Sequence, residues 1–338
     1  MNESDALSEV LRGVRLTGAI FLRGELSEPW GFQAPPAGKA SALLAPGTDC
    51  VVPFHLVTEG VATVRVKGCE PLRLEPGEIV VLPRGDAHVL QNGAPPELVD
   101  TSGLLPKILE GSVLSETGGG GGPITRFICG YVGCDRQAEK LFLSNLPPVF
   151  KVGVRPHGSA GWIESALRQV VGESESSEAG SRALLTKLAE ALFIETLRRY
   201  MAQLRRDDTG WLAAARDPAV GRALSWMHRE PTRAWTVAEL AKRAGVSRTV
   251  FARRFVEVLG QTPLAYLASW RLSLGATRLR SSDDSVLGVA VAVGYESEAA
   301  FNRAFKREFG LPPARYRKRE RLARERASKP ERAPIASP

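Results

Sequence analysis

Leu240-Ala241-Lys242-Arg243-Ala244-Gly245-Val246-Ser247-Arg248-Thr249-Val250-Phe251-Ala252-Arg253-Arg254-Phe255 is followed by Gly260, Pro263 and Tyr266. The pattern then returns as Val289-Ala290-Val291-Ala292-Val293-Gly294-Tyr295-Glu296-Ser297-Glu298-Ala299-Ala300-Phe301-Asn302-Arg303-Ala304-Phe305-Lys306, with Gly310, Pro313 and Tyr316 behind it. Gly245 and Gly294 lie 49 residues apart, and the later Phe, Gly, Pro and Tyr pairs lie 50 apart, so one residue is inserted in the second turn. A repeat of this length decides the architecture before any single residue does.

Each copy reads as a helix-turn-helix. Thr236 and Glu239 have capping-box spacing, so hydroxyl and carboxylate can satisfy free N–H groups at a helix start. Gly245 can take the positive φ of a tight turn, and Ser247 stands where the next helix needs a cap. Phe251, Phe255, Val258 and Leu259 then form one stripe to bury, which turns Thr249, Arg253 and Val256 outward with Ala252 at their side. In the second copy Ser297 caps, Phe301, Phe305 and Phe309 are buried, and Ala299, Arg303 and Lys306 face out beside Asn302. Small residues let such a face enter a major groove. Arg matches guanine O6 and N7, and Asn matches adenine. The candidate DNA contacts are Ser247, Arg248, Thr249, Ala252 and Arg253 from the first copy. Ser297, Glu298, Ala299, Asn302, Arg303 and Lys306 come from the second.

Over about residues 217–320 the chain resembles the DNA-binding domain of AraC/XylS-type transcription regulators. The resemblance implies two such motifs joined by one long helix, here residues 264–280, which are rich in Leu, Ala and Arg and lack Pro.

Working outward, charge agrees with this placement. Residues 211–338 hold 24 Lys and Arg against 12 Asp and Glu, a net +12; the whole chain is +8, which leaves −4 for residues 1–210. Phosphate binding needs the basic half where the motifs are. No apolar run approaches the roughly 20 residues of a membrane span, and the N-terminus has no signal-peptide pattern. A cytoplasmic protein with reduced thiols and no membrane partner is expected.

Residues 2–11 read as an amphipathic helix with Leu7, Val10 and Leu11 on one side. Short apolar runs between Gly and Pro follow at 19–22, 42–44, 50–57, 61–66, 72–74, 79–82 and 89–90, then at 125–132 and 149–154. This is the pattern of an all-β sandwich or barrel. Residues 118–122, a glycine run, read as a flexible loop. Gly77-x5-Pro83-x-Gly85-x2-His88-x3-Asn92 resembles the second cupin motif, and residues 5–205 resemble the cupin-type N-terminal domain of one AraC subgroup. In metal-bearing cupins a histidine at the place of His88 is a ligand. Here His55 is the only upstream histidine and no His-x-His occurs, a poor donor set for a mononuclear site. No metal or other cofactor is expected. His55 and His88 are read as polar members of an effector pocket, with Trp30 as an apolar wall.

Cys50, Cys69, Cys129 and Cys134 lack zinc-site spacing. Buried single thiols are the default. Cys129 and Cys134 could instead form a disulfide across a turn, if one brings their Cα atoms within about 7 Å. Residues 162–171 read as a short helix, 172–180 as a loop and 181–206 as a long helix. Its apolar stripe is wide enough to pair with its twin in a homodimer.

The fold class expected is α+β. It comprises a cupin-like β-barrel sensor domain (1–155), a helical dimerisation segment (156–206), a linker (207–217), an all-α double helix-turn-helix domain (218–320) and a basic tail (321–338); beyond Tyr316 the chain reads as a frayed helix and then as disordered. The function expected is a sequence-specific transcription regulator, not an enzyme, that senses a small-molecule effector. Its partners are operator double-stranded DNA, RNA polymerase and a second copy of itself. Two alternatives stand beside this reading. One is a thiol-based redox sensor using Cys129 or other cysteines, Cys134 among them, and the other a metal-dependent cupin enzyme with an appended DNA-binding domain.

Overall fold

The computed structural model describes residues 5–328, apart from 15, 96, 111–112, most of 136–144, nearly all of 154–178, and 206. The chain divides into two compact units, Val14–Arg205 and a second that joins Met1–Gly13 to Arg206–Pro338. Helix α1 (Ala6–Gly13) buries Leu7 and Val10 against the helix at 220–229. The apolar stripe was legible in sequence. Which core receives it was not, and the sequence reading grouped it with the barrel.

The first unit is a two-sheet barrel. Its elements are β1 (Leu16–Ser27), β2 (Trp30–Ala34), α2 (Ser41–Leu44), β3 (Cys50–Glu59), β4 (Ala62–Val66), β5 (Leu72–Leu74), β6 (Glu78–Val81), β7 (His88–Asn92), β8 (Val99–Asp100), α3 (Leu105–Glu110), β9 (Leu114–Gly119), β10 (Ile124–Cys134) and β11 (Phe150–Gly153). One sheet runs β11-β6-β3-β10-β1-β9 and the other β5-β4-β7-β2-β8. The alternation of buried and exposed residues along β1 and β4 puts one face of each strand in the core, as a sandwich requires. Trp30, Phe32, Leu74, Leu90 and Phe127 fill the space between the sheets.

Two local expectations change. Residues 42–44 lie in α2 and not in a strand, because a run of Ala and Leu this short carries no period that separates the two. The glycine run is only partly a loop. Gly118 and Gly119 end β9, which pairs in parallel with Leu26 and Ser27 of β1. A Cβ on Gly119 would collide with the backbone of Ser27, so that strand edge needs a glycine.

Helix α4 (Ser181–Gln203) lies against the same unit and buries Leu185, Ala189, Leu192, Phe193 and Leu197, with contacts to β1, β10 and β11. The helix expected at 162–171 and the loop at 172–180 fall almost wholly outside the described residues.

The second unit is helical. It contains α5 (Trp211–Arg216), α6 (Val220–Arg229), α7 (Val237–Arg243), α8 (Arg248–Leu259), α9 (Pro263–Ser281), α10 (Val286–Ala292), α11 (Glu298–Phe309) and α12 (Pro313–Ser328). Residues 211–216, expected in the linker, form α5 and bury Trp211, Leu212 and Ala214. A helix-forming Trp-Leu-Ala-Ala-Ala run had a core to join. Beyond Tyr316 the helix expected at the start of the tail is α12, which runs to Ser328, and the last ten residues fall outside the described ones. Among the described residues, no helix is long and apolar enough to cross a membrane.

Candidate functional sites: a nucleic-acid interface and a barrel cavity

The hydroxyl caps expected of the repeat are present, whereas the Glu239 carboxylate, expected to complete a capping box, accepts from Arg233 at 2.6 Å. Thr236 accepts from the Glu239 N–H at 3.1 Å, Ser247 from Val250 at 3.3 Å and Ser297 from Ala300 at 3.2 Å. Ser285 and Thr262 cap α10 and α9 in the same way. Gly260 and Gly310 close α8 and α11 in the left-handed conformation. Phe251, Phe255, Phe301 and Phe305 are wholly buried, and Phe309 is half-buried. These anchors aim the opposite faces of α8 and α11 at solvent.

On α8, Arg248, Thr249, Arg253 and Val256 are exposed, with Ala252 half-buried beside them. The Arg253 side chain is 73% exposed and lies 3.5 Å from Glu257. Arg254, next in sequence, turns inward to Asp217 at 2.9 Å and ties α8 to the start of α6. On α11, Glu298, Ala299, Arg303 and Lys306 are exposed, and Asn302 donates to Glu298 at 3.4 Å. Each helix thus presents an arginine with room to reach a base edge, flanked by small residues.

The sequence reading missed Arg271. From the middle of α9 its guanidinium donates to the carbonyls of Pro231, Arg233 and Gly294, at 2.5, 2.8 and 3.3 Å. It clasps the entry to the first motif and the turn of the second to one helix. Its charge, partly buried, loses hydration, which lowers its pKa. Arg in a basic helix reads as solvated surface, and no local pattern marks this one. Tyr266 makes a second anchor. It accepts from Trp211 Nε1 at 2.7 Å and donates to His228 Nε2 at 2.7 Å. Burial pushes the His228 pKa down to about 3, so the imidazole is neutral and can accept.

In the barrel, His55 and His88 meet as expected, and Cys129 joins them. Register pairs Cys129 with His55 across β10 and β3. His55 Nδ1 lies 2.6 Å from Cys129 Sγ, and its Nε2 lies 2.7 Å from His88 Nε2. His88 Nδ1 lies 3.0 Å from the Asp86 carbonyl. That carbonyl can only accept, and this orients the whole chain. His88 donates from Nδ1 and accepts at Nε2, His55 donates from Nε2 and accepts at Nδ1, and the thiol donates. Burial disfavours charge on both imidazoles, more so at His55, where the neighbouring His88 adds to it. Burial also pushes the Cys129 thiol well up, away from the thiolate that a nucleophile needs.

These three side chains line a cavity of about 640 Å³. The register of β1 slips between Ile20 and Leu22, and Phe21, at the slip, also lines it. Gly85, from the cupin-like motif, takes φ +64 and would clash through a Cβ with Ala37 and the Val51 carbonyl. It lets the short helix at Ala37–Lys39 close over the cavity. Trp30 is not in the wall. It stacks on Phe127 at 5.0 Å in the core, on the same face of β2 as Phe32, and of the two it is Phe32 that lines the cavity.

A cupin metal does not fit these residues. His55 spends its two nitrogens on partners at opposite ring edges, so one ion cannot take His55, His88 and Cys129 together. Among the described residues, no three His, Cys, Asp or Glu side chains gather to hold an ion. A Cys129–Cys134 disulfide is also excluded. Both lie on β10, five residues apart, which an extended strand spreads by about 16 Å. Cys134 instead stands opposite Cys50 in register.

Two caped and buttressed helix-turn-helix motifs with outward arginines, carried on one chain with a cupin-like barrel, define a DNA-binding regulator of transcription. A cupin family model matches residues 5–202, and a helix-turn-helix domain model matches residues 240–319. The chain is 34% identical to an AraC-like transcription regulator of Streptomyces lividans, over 79% of this chain and 87% of that one. It is 31% identical to the RCS-specific HTH-type transcriptional activator RclR of Escherichia coli, over 94% and 98%. To the HTH-type transcriptional regulator AlkR of Acinetobacter baylyi it is 30% identical, over 93% and 99%. The chain belongs to the AraC-like transcription regulators, with a cupin-like N-terminal domain and a helix-turn-helix DNA-binding domain.

Proposed function

We propose that the chain is a cytoplasmic, homodimeric regulator that binds an effector in the barrel cavity, and that it is a sensor and not an enzyme. It reads operator DNA with Ser247, Arg248, Thr249, Ala252 and Arg253 of the first motif. In the second it uses Ser297, Glu298, Ala299, Asn302, Arg303 and Lys306, and at the promoter it meets RNA polymerase. The observation that carries the sensing role is the cavity itself. It has the size of a small-molecule site, and His55 and His88 are in its wall. Effector binding alters DNA affinity if two arrangements of the chain bind it unequally. Within the expected linker, residues 207–210, ahead of α5, are the segment where such a change can bend.

His88→Ala leaves the His55 donor unpaired and opens the wall. It should abolish the response to inducer in a reporter strain, while the full-length variant keeps its affinity for operator DNA without inducer. A response that survives His88→Ala but is lost in Cys129→Ser would replace this reading by thiol sensing. For the dimer, the face of α4 that stays outside the barrel core is the useful one. Leu184 is exposed and Leu188 half-buried, whereas Leu192 is core. Leu184→Glu with Leu188→Glu should therefore give a folded monomer in sedimentation, and a wild-type chain that is monomeric at micromolar concentration would remove the dimer from the proposal.

A further inference from the structure

The cavity wall can be audited group by group. Six of its side chains carry a hydrogen-bonding atom, and all six are committed within the protein. Cys129, His55 and His88 bond in series and end on the Asp86 carbonyl. Tyr131 donates its hydroxyl to the Leu44 carbonyl at 2.6 Å. Thr101 donates to the Gln33 carbonyl at 3.1 Å and Ser102 to Asp100 at 2.7 Å. Among the described residues lining the cavity there is no Lys, Arg, Asp or Glu. Pro35, Pro36 and Pro53 also line it, and proline backbone has no N–H to offer.

From this wall we infer that the cavity takes an uncharged, apolar small molecule and discriminates against carboxylates and ammonium ions of the same shape. The inference rests on the proposed role of the cavity as the effector site. A carboxylate entering here would leave its water behind and find neither a cation nor an uncommitted side-chain donor. An ammonium would find no anion. To bond a polar headgroup, the relay would have to break one of its own links. An apolar molecule asks for none of this. It displaces water from Phe21, Phe32, Leu104 and Ile108, and the driving force is the removal of apolar surface from water.

The surroundings of the cavity point the same way. Leu43 on α2, Val99 on β8 and Leu109 on α3 are large apolar side chains left exposed. They sit on elements whose neighbouring residues, or whose partner strand, line the cavity. The volume, equal to that of about 20 waters, suits a molecule of two or three rings or a mid-length chain.

The experiment uses the full-length protein, with uptake of the neutral fluorophore N-phenyl-1-naphthylamine as the signal. Biphenyl and biphenyl-4-carboxylate compete for it at pH 7.5. Biphenyl is expected to displace the probe, with the carboxylate weaker by ~100-fold, the scale set by a charge desolvated without a partner. Ile108→Arg puts a cation into the wall and should abolish probe uptake. A carboxylate that competes as well as biphenyl, with uptake still lost in Ile108→Arg, overturns the inference and leaves the cavity as an effector site. No uptake by the wild type, or uptake untouched by Ile108→Arg, overturns the cavity reading and the inference with it.

Discussion

In the first helix-turn-helix motif the turn glycine, Gly245, takes φ +74 and a side chain there would meet open space. In the second, Gly294 takes φ +85 with the Thr232 backbone 2.9 Å and the Arg271 guanidinium 3.2 Å from where a Cβ would stand. The same residue in the same turn is therefore used differently. At Gly245 only backbone conformation asks for glycine. At Gly294 conformation and packing both do, because the second turn is pressed against the entry to the first motif and held there by Arg271. The reading helices differ as well. Helix α8 opens on Arg248 with no acid in its first turn, while α11 opens on Glu298. A guanidinium suits guanine, and a carboxylate can accept from cytosine N4. Two copies of one motif can thus share a fold and read different bases, while their spacing is set by contacts outside the repeat.

The largest effect should come from the turns. Gly294→Ala should cost about 3 kcal/mol in denaturant unfolding, combining left-handed backbone strain of about 1–2 kcal/mol with an overpacking term. Gly245→Ala should cost only the strain, about 1 kcal/mol. Equal costs would mean that the second turn is not clamped.

Next comes the DNA face. Arg253→Ala and Arg303→Ala should each lose about 1–3 kcal/mol of operator affinity and relax preference at one position in their own half of the site. A loss that is the same on operator and random DNA would assign the residue to phosphate.

The third prediction concerns His228, buried beside the first motif. Its imidazole is neutral in the fold, with a pKa of about 3 against 6.5 for an unburied histidine. Between those values the unfolded chain binds the extra proton, so stability falls as pH falls below 6.5. The share of His228 is about 1.4 kcal/mol per pH unit. His228→Phe should flatten the slope of unfolding free energy against pH between 6 and 4.5 by that amount, and an unchanged slope would count against a neutral His228. The smallest effect is at the caps. Ser247→Ala and Ser297→Ala should each cost about 1 kcal/mol, equal within a few tenths, because their bond lengths match.

Much of the helical unit was legible because its signals are local. A cap bonds three residues ahead, and a buried stripe recurs at three and four, so Ser247, Phe251 and Phe255 announce α8 without help from the rest of the chain. The barrel was legible in outline. Most of its strands were found, but β2, β8 and β9 were not, and 42–44 were misread, since three residues cannot show a period. Of the cavity, His55 and His88 were legible through the cupin-like motif and the scarcity of histidine. Trp30 was misplaced: it shares its face of β2 with Phe32, which lines the cavity, and alternation does not say how far along that face the cavity reaches.

By itself, then, the amino-acid sequence determined the two motifs, their caps, the outward arginines and the basic half that carries them. These are interactions across one helical turn, or simple sums of charge. Tertiary structure alone decided the rest. It placed α1 on α6, set Arg271 between the motifs, and drew Cys129 to a histidine 74 residues away. It also committed every polar side chain in the cavity wall to a partner within the protein. Such contacts depend on strand register and on which surfaces close over one another. Closing a loop costs free energy that grows only slowly with its length, so many distant pairings are nearly equal until packing chooses among them.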